Sequence, residues 1–210
     1  MKRGRFITLE GVEGAGKTTA LGYVRGLLES HGIPVVVTRE PGGTPVGERL
    51  RALLLDPEMN MCPETELLLM FAARAEHLHR LIRPALARGD WVLCDRFTDA
   101  SYAYQGGGRG MDPQRIAILE EWVQGSLQPD LTLLLDLPVE LGMERARGRG
   151  GVTDRMEAEA LDFHRRVRET YLARACRCPE RYCVVDASQD LREVEDQLRL
   201  CLERLIHGHH

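Results

Sequence analysis

The chain has 210 residues, 43% of them hydrophobic and 29% charged, with a formal net charge of −4. That length and composition suit one compact, soluble globular domain with a sizeable core. The balance of charge excludes a protein that coats nucleic acid, and no stretch approaches the roughly 18 apolar residues of a membrane span.

The start, MKRGRFITLE, carries basic residues without the apolar run of a signal peptide, so the expected location is the cytoplasm. In chain order, the first predicted strand is Arg5–Glu10, which leads through a glycine-rich turn into a helix over Lys17–Ser30. A strand at Val35–Arg39 precedes helices at about Thr44–Leu55 and Glu64–Arg88. A strand at Trp91–Asp95 is followed by a helix at Pro113–Gly125, a strand at Leu131–Asp136 and helices at Val139–Arg147 and Met156–Cys176. A last strand, Tyr182–Asp186, leads to a helix at Asp190–Ile206.

The strands are nearly continuous in Val, Ile and Leu, the pattern of strands buried on both faces. Their alternation with helices predicts an α/β fold with a five-stranded parallel sheet flanked by helices on both faces. Ligands on such sheets lie beyond the carboxyl ends of the strands, where Gly11–Thr18, Arg39, Asp95 and Arg96 fall. Residues 1–210 read as a single domain. The segment RARGRGGVTDR, Arg145–Arg155, interrupts the helical pattern and reads as a mobile, Arg-rich lid, with Asp154 and Arg155 structural or hinge-like.

Cys62, Cys94, Cys176, Cys178, Cys183 and Cys201 lack paired C-x-x-C spacing and read as reduced structural thiols. In ARAEHLH, residues Glu76, His77 and His79 read as packed or solvated rather than as a metal site, and His207, His209 and His210 as a frayed end.

The strongest local signal is Gly11-x-x-x-x-Gly16-Lys17-Thr18, set between a predicted strand and an amphipathic helix. Its glycines let several backbone N–H groups point inward, and the helix N-terminus adds a favourable dipole for phosphate. Lys17 can reach the β and γ phosphates, and the Thr18 hydroxyl can ligate Mg²⁺. Of the 28 basic residues only Lys2 and Lys17 are lysine, which makes Lys17 stand out. The motif points to a nucleoside triphosphate without saying what is done with it. A GTPase would want an N-K-x-D segment, which the chain lacks. A nucleotide-binding switch, a partner-driven ATPase and a monophosphate kinase of another base preference stay open at this level.

EGVEGAGKTT, TREPGGT, the FAAR segment, DRFTDAS with AYQGGGRG, PDLTLLLD and the Arg-rich lid occur in the order seen in bacterial thymidylate kinases. The chain resembles that family, in its lid-arginine form, from Phe6 to about Leu205. The resemblance implies the P-loop nucleoside monophosphate kinase fold. It also implies a phosphotransferase with a phosphate acceptor, a cytosolic homodimer that uses Mg²⁺ and converts ATP and dTMP to ADP and dTDP for dTTP synthesis. The helices at Glu64–Arg88 and Pro113–Gly125 are the expected dimer interface.

Carried over residue by residue, the resemblance implies an ATP site of Gly11, Val12, Glu13, Gly14, Ala15, Gly16, Lys17, Thr18 and Thr19. Arg39, Arg51 and Arg96 match positions that surround the dTMP phosphate or hold its pocket, and Arg74 and Gln105 match readers of the thymine edge, with Ser101 close by. Tyr104 matches an aromatic residue near the deoxyribose, and Glu13 an acid that approaches the sugar 3′-hydroxyl. Lys17, Asp95, Arg96 and Arg149 are the implied catalytic residues, with Thr18 and Asp95 serving Mg²⁺, in part through water. Many relatives place a thymine-stacking Phe four residues before the base-reading Arg. Here Met70 occupies that place and Phe71 lies three before Arg74, so Phe71 is the expected stacking residue. Some relatives follow Glu13 with a catalytic arginine; Gly14 stands there instead, which assigns that charge to the lid.

Overall fold

The computed structural model describes residues 3–148 and 155–207. Five strands form one parallel sheet: β1 Phe6–Glu10, β2 Val35–Arg39, β3 Trp91–Asp95, β4 Leu131–Asp136 and β5 Tyr182–Asp186, in spatial order β2-β3-β1-β4-β5. The central strand β1 is buried at every position, as a V/I/L-type run between two helical layers must be. Ile7 and Leu9 pair with Leu93 and Asp95 of β3 on one side and with Leu131 and Leu133 of β4 on the other. The chain thus builds β1–β3 on one side of the sheet and crosses β1 to add β4 and β5. The carboxyl ends of β1 and β3 open into the crevice at that reversal.

The helices are α1 Lys17–Ser30, α2 Pro45–Leu55, α3 Pro63–His77, α4 Arg83–Arg88, α5 Thr98–Ser101, α6 Pro113–Gln124, α7 Val139–Gly148, α8 Leu161–Arg177 and α9 Leu191–His207. Local chemistry sets several starts. Thr44 accepts a hydrogen bond from the Gly47 N–H with Pro45 in the first turn, and Asp112 does the same for Gln114 ahead of Pro113. The helix expected as one piece over Glu64–Arg88 is broken by a π turn, Leu78–Ile82. Pro84 has no N–H to give the turn before it, and the widened turn absorbs that defect. A second π segment, Tyr102–Gly108, extends α5 where the three glycines Gly106, Gly107 and Gly108 gave no helical expectation. There a Cβ on Gly107 would lie 2.0 Å from the Thr170 hydroxyl oxygen, so the glycine lets this segment lie against α8.

The main core lies between the sheet, α1, α8 and α9, with Val24, Leu28, Leu133, Val167 and Leu202 fully buried. Asp99 is buried at a structural corner, taking Arg174 at 2.6 Å and Arg181 at 2.7 Å. Cys183 of β5 and Cys201 of α9 form a disulfide, Cα–Cα 6.2 Å, against the expectation of reduced thiols. Their separation of 18 residues hides this pairing from any reading based on near-neighbour spacing.

Candidate active site

After β1 the backbone turns through Gly11, Gly14 and Gly16 with φ of 143°, 72° and 82°, conformations that cost a side-chain-bearing residue steric strain. Gly14 is further confined. A Cβ there would lie 1.9 Å from the Gly142 carbonyl oxygen, and a Cβ on Gly142 would lie 2.5 Å from that of Glu13. The backbone of α7 therefore rests directly on the loop, and no arginine fits at position 14. No side chain caps α1 and no acidic residue stands in its first turn, which leaves the helix N-terminus for an anion. Lys17 folds over the loop and donates to the carbonyls of Gly11 at 3.1 Å and Val12 at 3.0 Å. Burial and then the charge of Arg96 lower the Lys17 pKa, with Glu13 pulling the other way.

Arg96, just past β3, is the one non-glycine residue with positive φ (67°) among the described residues. Such a conformation costs on the order of 1–3 kcal/mol and persists only where surroundings enforce it. Here they do. Its N–H donates to Leu9 at 2.9 Å, and its guanidinium donates to the Gly11 carbonyl at 2.8 Å and to Glu13 at 2.5 Å. The guanidinium also lies 4.8 Å from the Tyr104 ring centre and donates to the Tyr171 hydroxyl at 3.3 Å. Tyr171 passes the chain on to the Glu10 carboxyl at 2.7 Å, which also accepts from Phe97 N–H at 2.7 Å. Burial, reinforced by the Asp99 charge, pushes Glu10 up to about 8. Burial works against the Glu13 carboxylate as well, but Lys17, Arg96 and a Tyr104 hydrogen bond at 3.2 Å hold it at about 2. Glu13 is thus a charged group fixed at the cavity wall, its side chain only 20% exposed and not solvated outward.

The cavity in front of these groups has a volume of about 580 Å³. Its near side is Glu13–Thr19 with Asp95, Arg96 and the Tyr104 that bonds Glu13; the rest of the lining includes Arg51, Met70, Arg74, Ser101 and Gln105. Arg74 is buried and donates to Glu40 at 2.7 Å, Ser101 at 3.1 Å and the Phe97 carbonyl at 3.2 Å. His77 steadies Glu40 from behind, bonded to it at 2.9 Å and to Thr38 at 2.7 Å, which accounts for this histidine without a metal. Arg51 donates to the Pro41 carbonyl at 2.9 Å. Asp95 Oδ1 is buried without a hydrogen-bond partner, a carboxylate oxygen beside Lys17 and Thr18 with capacity for a cation or its water.

Four expected site residues among those described do not line the cavity. Arg39 points away to α2, half-exposed and paired with Glu48 at 2.9 Å, because Glu48 in the first turn of α2 meets it across the Gly42–Gly43 turn. Phe71 is buried between Leu67 and Ile116, with the Arg74 guanidinium 4.5 Å from its ring, so Met70 and not Phe71 lines the cavity. One helical step of about 100° separates the two side chains. Val12 is buried in the core and Gly11 contributes its carbonyl; neither lines the cavity. Arg149 and Asp154 lie outside the described residues. Arg155 is structural, donating to the Leu54 carbonyl at 3.0 Å and pairing with Glu66 at 2.7 Å.

Sequence reasoning missed Met156 and Glu157 on the cavity wall, and the Glu10–Tyr171 and Glu66 contacts behind it, none of which has a local motif. It also missed a smaller cavity of about 230 Å³ beside the loop, bordered by Gly16, Thr19, Arg145, Ala187 and Gln189. Arg145 spans both cavities and donates to Ala187 at 2.7 Å.

The thymidylate kinase family model matches residues 9–198. The chain is 61% identical to the thymidylate kinase of Alkalilimnicola ehrlichii, over 99% of this chain and 98% of that protein. It is 58% identical to that of Pseudomonas putida, over 97% of each. The crystal structure of the Ehrlichia chaffeensis thymidylate kinase superposes with a TM-score of 0.77 at 34% identity, covering 96% of this chain and 99% of that one. With a phosphate loop, a guanidinium and further polar side chains lining one cavity, the chain belongs to the thymidylate kinase family.

Proposed function

We propose that the 580 Å³ cavity is where this kinase moves the γ-phosphoryl group of ATP onto the phosphate of dTMP, giving ADP and dTDP. The observation that carries the reading is Arg96: it bonds the phosphate loop at Gly11 and Glu13 and lies over the Tyr104 ring, in the cavity that also holds Arg74 and Gln105. A cation there bridges donor and acceptor phosphates, which is what positioning catalysis of phosphoryl transfer requires.

In this reading the loop amides, the α1 N-terminus and Lys17 hold the triphosphate, and the smaller cavity beside Arg145 takes the adenosine. Arg96 and Arg51 hold the acceptor phosphate, Glu13 meets the sugar 3′-hydroxyl, and Tyr104 packs where a 2′-hydroxyl would project. Arg74, Ser101 and Gln105 face the thymine edge, and the Met70 thioether covers the base in place of an aromatic ring. Thr18 and Asp95 would hold Mg²⁺, which supplies charge neutralisation on the β and γ phosphates. No side chain needs to act as general base, because the acceptor is already a phosphate anion. Arg149, outside the described residues between α7 and Arg155, is the proposed catalytic arginine of the lid.

The chain works as a cytoplasmic homodimer in this proposal. No helix among the described residues is long and apolar enough to cross a membrane. Leu68 on α3 and Ile118 and Trp122 on α6 expose apolar surface (56%, 68% and 81%) on the face expected for the dimer. The test of the substrate is a coupled assay across nucleoside monophosphates. dTMP is turned over with kcat/KM at least about 10²-fold above dCMP and dGMP, since the wrong base mismatches the polar groups that Arg74 and Gln105 offer beyond their protein partners. Equal rates on all of them would remove the thymine assignment.

A further inference from the structure

Gln105 is buried on the cavity wall, and its side-chain nitrogen donates to Glu66 Oε1 at 2.8 Å. Glu66, on α3, is itself 1% exposed and does not line the cavity. It is surrounded by cations. Arg109 reaches its two oxygens at 3.4 and 3.2 Å, and Arg155 Nη2 approaches Oε2 at 2.7 Å as an ion pair without hydrogen-bond alignment. Each cation is anchored in turn: Arg109 by Glu159 and by the Phe163 ring 5.0 Å away, Arg155 by the Leu54 carbonyl. The Gln105 backbone is pinned as well, its carbonyl accepting from Met111 N–H at 3.0 Å.

An amide side chain is pseudo-symmetric in shape and opposite in chemistry at its two ends. A carboxylate has only acceptors to offer, so the end of Gln105 that meets Glu66 is the NH₂ and the other end is the carbonyl oxygen. We propose that Glu66 is a positioning residue for base selection, locking Gln105 so that an acceptor faces the base. The site then favours a pyrimidine with a ring N–H between two carbonyls, as in thymine, over cytosine, whose N3 carries a lone pair. Uracil shares that N–H, so this contact does not separate dTMP from dUMP. The inference rests on the thymidylate reading of the cavity and deepens it.

The test is Glu66→Gln. A glutamine can offer either end to Gln105, which frees it to turn over and meet cytosine. The kcat/KM ratio of dTMP to dCMP falls about tenfold or more, mainly through a higher KM for dTMP, with KM for ATP unchanged. A role in packing alone would lower both acceptors together, and an unchanged ratio in folded enzyme overturns the proposal. If the lone substitution does not fold, Glu66→Gln with Arg109→Met removes the buried charge together with a partner, and the same ratio decides. The wild-type enzyme provides an arm free of any substitution. N3-methyl-dTMP binds roughly 10²-fold or more weakly than dTMP, because the locked acceptor loses its donor, and equal binding overturns the assignment. Wild-type enzyme that turned over no dTMP would instead refute the thymidylate reading itself.

Discussion

Arg96→Ala lowers kcat/KM for dTMP by roughly 10²–10³-fold, the loss seen when one preorganised charge is removed from a developing transition state. The guanidinium has no substitute, because Arg51 already has its own place on the cavity wall, bonded to the Pro41 carbonyl, and Arg39 is turned toward Glu48. Its backbone strain and its five contacts with Leu9, Gly11, Glu13, Tyr104 and Tyr171 all serve one orientation, so even Arg96→Lys should recover little. Acid titration provides a second readout. Glu13 is held at about 2 by Lys17 and Arg96 against burial, so it contributes stability above its usual carboxylate range that is lost as pH falls through that value. Without Arg96 the Glu13 pKa rises, that contribution shrinks, and the acid unfolding midpoint moves to higher pH. Circular dichroism against pH checks it; an unmoved midpoint together with unchanged turnover would show that Arg96 is a surface arginine.

Arg74→Met separates stability from recognition. The Arg74–Glu40 pair is buried, with side chains only 2% and 4% exposed, and breaking such a pair costs about 3–5 kcal/mol. The lower end is expected here, because His77 still bonds Glu40. Urea unfolding measures that loss. The surviving folded enzyme should show a dTMP KM raised by about tenfold or more with ATP affinity near normal, since Arg74 is held by Glu40, Ser101 and the Phe97 carbonyl and not by the phosphate loop. Weakened ATP binding of equal size would place Arg74 on the wrong side of the site.

What was legible in the chain follows from how local the signal is. The strands fit nearly residue for residue, because a V/I/L run ended by a charged residue describes a buried parallel strand by itself. The phosphate loop was legible for the same reason: its glycines, Lys17 and Thr18 are consecutive and their chemistry needs that spacing. The π turns at Leu78–Ile82 and Tyr102–Gly108 were not, because a widened turn leaves no separate apolar period. Motif position located Arg39 at a strand end but could not say that Glu48 would draw its side chain aside. For Phe71, a contact three rather than four residues away looked interchangeable on a helix face, yet Leu67 and Ile116 claim it for the core. The buried supports were illegible in principle: Tyr171 meets Glu10 across 161 residues and Gln105 meets Glu66 across 39, pairs that only the sheet order and the seat of α8 bring together.

One cavity is proposed to seat donor and acceptor together, with Arg96 between them. A bisubstrate compound, adenosine joined to thymidine through a polyphosphate, measures this directly in steady-state inhibition. One molecule binds per chain and inhibits competitively against both ATP and dTMP, and both effects are lost together in Arg96→Ala. Competition against ATP alone, with dTMP still binding to the inhibited enzyme, would contradict it.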